Sequence, residues 1–219
     1  MDKIDIAVID YGMGNLRSVS KALEHVAPSK SVIVTSNPDE VARAERVVFP
    51  GQGAMPDCIR ELDARGLREA VLQAAQQKPF LGICIGLQML FEQSEEGSAA
   101  GLGLFKGQVK RFAAADMHDE HGDKLKVPHM GWNQVYQADA TSSQPHVLWT
   151  GIDDGARFYY VHSYYVQPND ANIMSGYSNY PQPFTSAIAV DNLFAVQFHP
   201  EKSASAGLQL LSNFVHWAP

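Results

Sequence analysis

Cysteine is scarce in this chain of 219 residues: Cys58 and Cys84 are the only two, and they form no C-x-x-C pair. That spacing excludes zinc-ribbon and thioredoxin-type chemistry and fits a reducing cytosol. Positive charge is scarce too, with 17 lysines and arginines against 24 aspartates and glutamates and a net charge of −7. No basic cluster is present to meet a phosphate backbone, so nucleic acid is not an expected partner. No apolar run approaches the ~18 residues of a membrane span, and no charged-then-apolar leader follows Met1. A cytoplasmic protein without membrane contact is expected. Repeats and low-complexity linkers are also missing, and the length suits a single domain, 1–219, that buries about 70% of its unfolded surface.

What the chain does have is centred on Pro79 to Phe91, PFLGICIGLQMLF. Phe80 to Ile83 reads as a short buried strand, and Leu87, Leu90 and Phe91 then recur at helical spacing. Cys84 therefore sits between Gly82 and Gly86 on a strand-to-helix turn. A nucleophile on such an elbow is presented to a cleft in a strained backbone conformation, and the unpaired N–H groups of the helix that follows favour thiolate. A cysteine taken at random is more often a buried structural residue. The paired glycines and the change of secondary structure favour the nucleophile for Cys84, whereas Cys58 reads as a core or helix-face residue. Gln88, one turn on, offers an amide to a polar substrate group.

Ile4 to Asp10 reads as a central strand, followed by the loop Tyr11-Gly12-Met13-Gly14-Asn15 and a helix carrying Leu16, Val19, Leu23 and Val26. This is the opening of an α/β sheet. The G-x-G here lacks the third glycine of a dinucleotide fingerprint. Ser31 to Thr35 and Arg46 to Phe49 are further strands, with Asn37-Pro38 starting a short helix between them. The third strand ends in Pro50-Gly51-Gln52-Gly53, at the carboxyl end where open α/β sheets place their chemistry; its backbone N–H groups suit an oxyanion. Met55 to Lys78 is helical with a break near Gly66. Beyond Gly97, strands are expected at 107–112, 124–131, 133–137, 158–167, 173–177, 185–190 and 193–198, largely antiparallel, with a last helix from Ser203 to Trp217. The fold class is thus α/β, a mostly parallel central sheet flanked by helices with an antiparallel extension.

Asp116 to Asp123, DMHDEHGD, places His118 and His121 three apart among acids, a spacing with metal-ligand character. Gly122 and the density of charge instead read as a solvated hairpin tip, and neither a metal nor a cofactor is expected. The remaining chemical signal is Gln197-Phe198-His199-Pro200-Glu201. In extended chain His199 and Glu201 share a face. A carboxylate fixing one imidazole nitrogen leaves the other to take a proton from a thiol, which makes Cys84, His199 and Glu201 a candidate triad. His129 and His162 lack an acid at that spacing and read as strand histidines satisfied by hydrogen bonds.

With these segments in hand, GICIGLQ (82–88), FHPEK (198–202) and PGQG (50–53), the chain resembles a class I glutamine amidotransferase over essentially its whole length. Three further segments, DYGMGNLRSV (10–19), PHMGWN (128–133) and YVHSYY (160–165), resemble the branch that forms the glutaminase subunits of imidazole glycerol phosphate synthase. The resemblance implies that Cys84 attacks the carboxamide of glutamine, that His199 activates the thiol and protonates ammonia, and that Glu201 orients His199. It implies Gln88, Ser163 and Tyr164 as substrate-binding residues, and backbone N–H donors at Ile85 and in Gly51-Gln52-Gly53 as the oxyanion site. Valine usually stands where this chain has Gln52. The implied partner is a (β/α)8 cyclase subunit that receives the ammonia. Two other classes remain open at this stage: a free-standing hydrolase of γ-glutamyl compounds, and a silent interaction subunit, which an intact triad disfavours. A partner synthase of another pathway also remains open.

Overall fold

The computed structural model describes residues 3–113, 117–118, 122–138 and 145–219. Its first half alternates strand and helix: β1 (Ile6–Ile9), α1 (Leu16–Val26), β2 (Val32–Thr35), α2 (Pro38–Arg43), β3 (Arg46–Gly51), α3 (Met55–Ala64), α4 (Arg68–Gln77) and β4 (Phe80–Cys84). A one-turn helix α5 (Ile85–Gln88) follows, then β5 (Phe91–Ser94), β6 (Phe105–Arg111), β7 (His129–Gln137), β8 (Ala156–His162) and β9 (Tyr164–Pro168). β10 (Met174–Asn179), β11 (Pro183–Val190), β12 (Leu193–Val196) and α6 (Ala204–His216) complete the chain.

Strands β2, β1, β3, β4 and β12 lie side by side in that order and run parallel. Strand β1 and the Phe80–Cys84 strand are buried along their whole length, as expected for strands covered on both faces. The chain moves one way from β1 to β2 and the other way from β2 to β3 and β4. Right-handed crossovers therefore put α1 on one face and α2 to α4 on the other. Helix α6 joins α1, and α2 packs on α4. In α6 the buried residues Gly207, Leu210, Leu211, Phe214 and Val215 recur at helical spacing, so a single stripe faces the sheet. Asn37 caps α2 by accepting a hydrogen bond from Asp39 N–H at 3.0 Å, with Pro38 in the first turn.

The reversal of strand order falls between β1 and β3, and it leaves a crevice beyond their carboxyl ends. The remaining strands extend the sheet through β11, β10, β7 and β8, all antiparallel pairings, with β9, β6 and β5 branching from β11. Three boundaries differ from the sequence reading. The strand expected over 158–167 is broken at Ser163 into β8 and β9, which belong to different branches of the sheet. Residues 124–128 are not a strand, and β7 runs unbroken through Gly131. The elbow helix stops at Gln88, and Phe91 opens β5. Leu87, Leu90 and Phe91 are all buried, so their apolar spacing fits a helical turn running into a strand as well as it fits helix alone. Among the described residues no helix is long and apolar enough to cross a membrane, and no group of His, Cys, Asp and Glu is placed to hold a metal. His121 lies outside the described residues.

Candidate active site

Cys84 ends β4 with φ 57° and ψ −110°. A positive φ in a non-glycine residue stores about 1–3 kcal/mol and persists only where its surroundings enforce it. Close packing surrounds the turn here: two residues on, a Cβ on Gly86 would overlap the carbonyl oxygen of Phe49 on β3. The chain turns sharply enough to bring α5 against β3, and the cysteine side chain is left at the cleft. With only four residues, α5 has a short macrodipole. Support for the sulfur expected from a long helix is therefore supplied by side chains: Gln197 Nε2 lies 3.7 Å from Cys84 Sγ, and the His199 ring adjoins it.

His199 follows β12, the parallel neighbour of β4, which accounts for its meeting Cys84 across the strand ends. Its Nδ1 lies 3.0 Å from Glu201 Oε1, and both side chains are nearly inaccessible. The extended-chain geometry expected for this pair is not what joins them. Residues Pro200–Lys202 form a 3-10 turn, which folds the Glu201 carboxylate back onto the imidazole. The turn is tied to β8 through Ser203, whose hydroxyl donates to His199 O at 2.6 Å and accepts from Tyr159 N at 2.9 Å. Burial opposes charge on His199, but the Cys84 sulfur and the Glu201 carboxylate together outweigh it and raise the imidazole pKa well above its ordinary value.

A cleft of about 380 Å³ opens over this group. Gln52, Gly53, Ile85, Gln88, Ser163 and Tyr164, all singled out from the sequence, line it together with Cys84 and His199. Among the described residues three buried side-chain atoms have no hydrogen-bond partner: Gln88 Oε1, His199 Nε2 and Glu201 Oε2. Two of these belong to residues that line the cleft. The Gln88 amide is used differently from the expectation, because both its N–H groups are occupied, by Tyr164 O at 2.9 Å and Gln197 Oε1 at 3.0 Å. Only its oxygen is free to accept from a bound molecule.

The glycine loop after β3 is held from below by two residues that sequence reasoning gave no such part. The Tyr11 hydroxyl donates to Pro50 O at 2.9 Å, and Cys58 Sγ donates to Gln52 O at 3.5 Å. Burial pushes the Cys58 thiol up to about 11, so it remains an S–H donor at neutral pH. The two cysteines thus have separate duties, one at the cleft and one beneath the loop. From the sequence Gln197 is only the first residue of the Gln-Phe-His-Pro-Glu segment. Its two-residue offset from His199 was the available signal.

A parallel sheet with a cysteine elbow after one strand and a His–Glu pair after its neighbour has the parts that nucleophilic acyl-transfer chemistry requires. Residues 7–217 match the family profile described as Glutamine amidotransferase class-I, and the chain belongs to that family. Over 216 residues it is 65% identical to the imidazole glycerol phosphate synthase subunit HisH of Thiobacillus denitrificans, covering 99% of this chain and 92% of that one. It is 67% identical to the same-named subunit of Dechloromonas aromatica over 214 residues, covering 98% and 97% of the two chains. Among solved structures, a glutamine amidotransferase superposes with TM-score 0.68 at 12% identity, covering 93% of this chain and 94% of its own. The glutaminase domain of Trypanosoma brucei CTPS with bound acivicin gives TM-score 0.61 at 16% identity, covering 96% and 93%. At such identities these likenesses speak for the fold alone.

Proposed function

We propose that this chain is the glutaminase subunit of an imidazole glycerol phosphate synthase, with Cys84, His199 and Glu201 as its triad. Cys84 sulfur attacks the side-chain carbonyl carbon of glutamine while His199 holds the thiol proton. His199 Nε2 then delivers that proton to the departing nitrogen, so ammonia leaves and a γ-glutamyl thioester remains. Water, deprotonated by His199, attacks the thioester, and glutamate leaves with the sulfur restored. Glu201 keeps the imidazole facing the sulfur through Nδ1.

The observation that carries this reading is the buried His199–Glu201 pair at 3.0 Å, with its outer nitrogen unpartnered beside the elbow cysteine. The free Gln88 oxygen suits an N–H of glutamine, and Ser163 and Tyr164 shape the wall opposite. Negative charge forming on the carbonyl oxygen is assigned to backbone N–H donors at Ile85 and in Gly51-Gln52-Gly53.

The relatives are named as subunits of a synthase, and the resemblance assigns the ammonia to a (β/α)8 cyclase subunit. That subunit yields imidazole glycerol phosphate and aminoimidazole carboxamide ribotide. Met130 and Trp132 on β7 are exposed large apolar side chains, 62% and 50% accessible. Trp132 touches Tyr159, which lines the cleft, so we place the cyclase on this face. The deciding experiment is a glutaminase assay of the chain alone and with the cyclase subunit and its ligand. Glutamate release that rises with the cyclase supports the assignment; release unaffected by it points to a free-standing hydrolase.

A further inference from the structure

The carbonyl of Tyr164 accepts two side-chain hydrogen bonds, from Gln88 Nε2 at 2.9 Å and from His162 Nδ1 at 2.8 Å. Amide orientation and histidine tautomer are often ambiguous from geometry alone, but a backbone carbonyl only accepts. Both arms leading away from it therefore have a dictated polarity. On one arm, the second N–H of Gln88 points at Gln197, so Gln197 must present its oxygen there, 3.0 Å away. Its NH2 group is then left facing Cys84 Sγ at 3.7 Å. On the other arm, His162 Nδ1–H leaves Nε2 to accept from His129 Nδ1 at 2.9 Å, and His129 Nε2 faces Asn133 Nδ2 at 3.4 Å. Asn133 is anchored in turn by donating to Asn179 O at 2.9 Å.

We propose that Gln197 is a positioning residue for the nucleophile: its side-chain N–H holds the Cys84 sulfur, and the Tyr164 carbonyl, acting through Gln88, fixes which face of that amide the sulfur meets. The proposal rests on the reading of Cys84 as nucleophile. Gln197 is completely buried, so no water competes for the N–H, and a donor left idle there would be costly. The bond strengthens as the sulfur gains charge, because an anionic acceptor binds a donor more tightly than a neutral one. Gln197 therefore favours the form of Cys84 that attacks. The two segments PHMGWN and YVHSYY, which supply His129, Asn133, His162 and Tyr164, acquire a physical role as the frame behind this amide.

The test is the rate at which iodoacetamide alkylates Cys84 at pH 7 in the full chain, alone and with the cyclase subunit, read by peptide mass spectrometry with Cys58 as internal control. Gln197→Met keeps the volume and removes the donor; Gln197→Glu keeps the acceptor toward Gln88 and sets an oxygen against the sulfur. Labelling is expected to slow about tenfold in the first and further in the second, as loss of a charge-assisted donor implies. The direction discriminates, since Cys84 is only 4% exposed and a merely loosened site would label faster. Labelling at or above the wild-type rate in Gln197→Met overturns the proposal. In the assembled enzyme kcat for glutamine should fall by a similar factor with KM within about twofold. Slower labelling in a chain that never hydrolyses glutamine would refute the proposed function and leave this contact standing. A second measurement needs no variant at position 197: the side-chain amide NMR signals of Gln197 should shift on Cys84→Ala, and signals indifferent to loss of the sulfur overturn the proposal.

Discussion

Gly51, the last residue of β3, lies in register with Cys84, the last residue of β4. A Cβ at Gly51 would run into the Tyr11 hydroxyl and the Ile85 side chain, so the glycine is required by close approach. The next two residues face the cleft, with Gln52 exposed and Gly53 at φ +105°. Gly51→Ala is therefore expected to lower Tm and cut glutaminase turnover by about 10²-fold, the scale of one lost oxyanion donor. Gln52→Val, which leaves the backbone donors in place, should stay within a few-fold of wild type. A hundredfold loss of kcat in Gln52→Val with KM unchanged would assign the donor to its side chain.

Cys84→Ala removes the proposed nucleophile and nothing that the proposed cyclase partner uses. In the assembled synthase, glutamine-dependent product formation should vanish, while synthesis from added ammonium salts should proceed at the wild-type rate. Parallel loss of both would contradict the division of labour.

The buried His129 and His162 and the half-buried His146 make the fold acid-sensitive. Burial lowers His129 and His146 to about 4, and burial with the neighbouring His129 lowers His162 to about 3, from an ordinary 6.5. As pH falls the unfolded chain takes up these protons first, so the stability they contribute is whole above 6.5 and is lost on the way down to 4 and 3. His199, with its raised value, is protonated in both states below 6.5 and adds no slope in that window. Thermal scans should show the highest Tm near pH 6.5, a decline above it as the unfolded chain gives up the proton that the fold keeps on His199, and a steady fall from 6.5 to 5. His129→Phe, which keeps the ring between Tyr160 and Tyr180, should shallow that fall, and an unchanged slope would refute the assignment.

Arg46, at the amino end of β3, donates through Nη1 to Phe214 O at 2.8 Å and Trp217 O at 3.0 Å, carbonyls at the end of α6. Carbonyls of a last helical turn lack the usual i+4 N–H partner; that of Phe214 accepts only from the capping Trp217 N–H at 3.3 Å besides Arg46. Arg46→Met should cost about 1–3 kcal/mol, several degrees in Tm for a chain of this size, with kcat/KM for glutamine unaltered. A kinetic defect at unchanged Tm would count against a purely structural part for this residue.

The reach of sequence reasoning here follows the range of the interactions. Cys84 between two glycines, the His-Pro-Glu segment and the Pro50–Gly53 loop were legible because each is a contiguous stretch whose chemistry is local to it. The α/β class was legible because apolar runs and helical spacing alternate along the first half. The end of α5 was not, since Leu87, Leu90 and Phe91 satisfy burial in either secondary structure and only the pairing of Phe91 with Phe105 on β6 makes the second half of that run a strand. The sequence by itself determined which side chains are proposed for the chemistry and that strands of a buried sheet present them. Tertiary structure alone decided that Gln88 offers its oxygen rather than its N–H groups, that Gln197 meets the sulfur, and that Cys58 and Tyr11 brace the glycine loop. Each of those outcomes depends on which carbonyl a distant strand or helix brings within 4 Å, a distance that strand register sets and residue order along the chain does not.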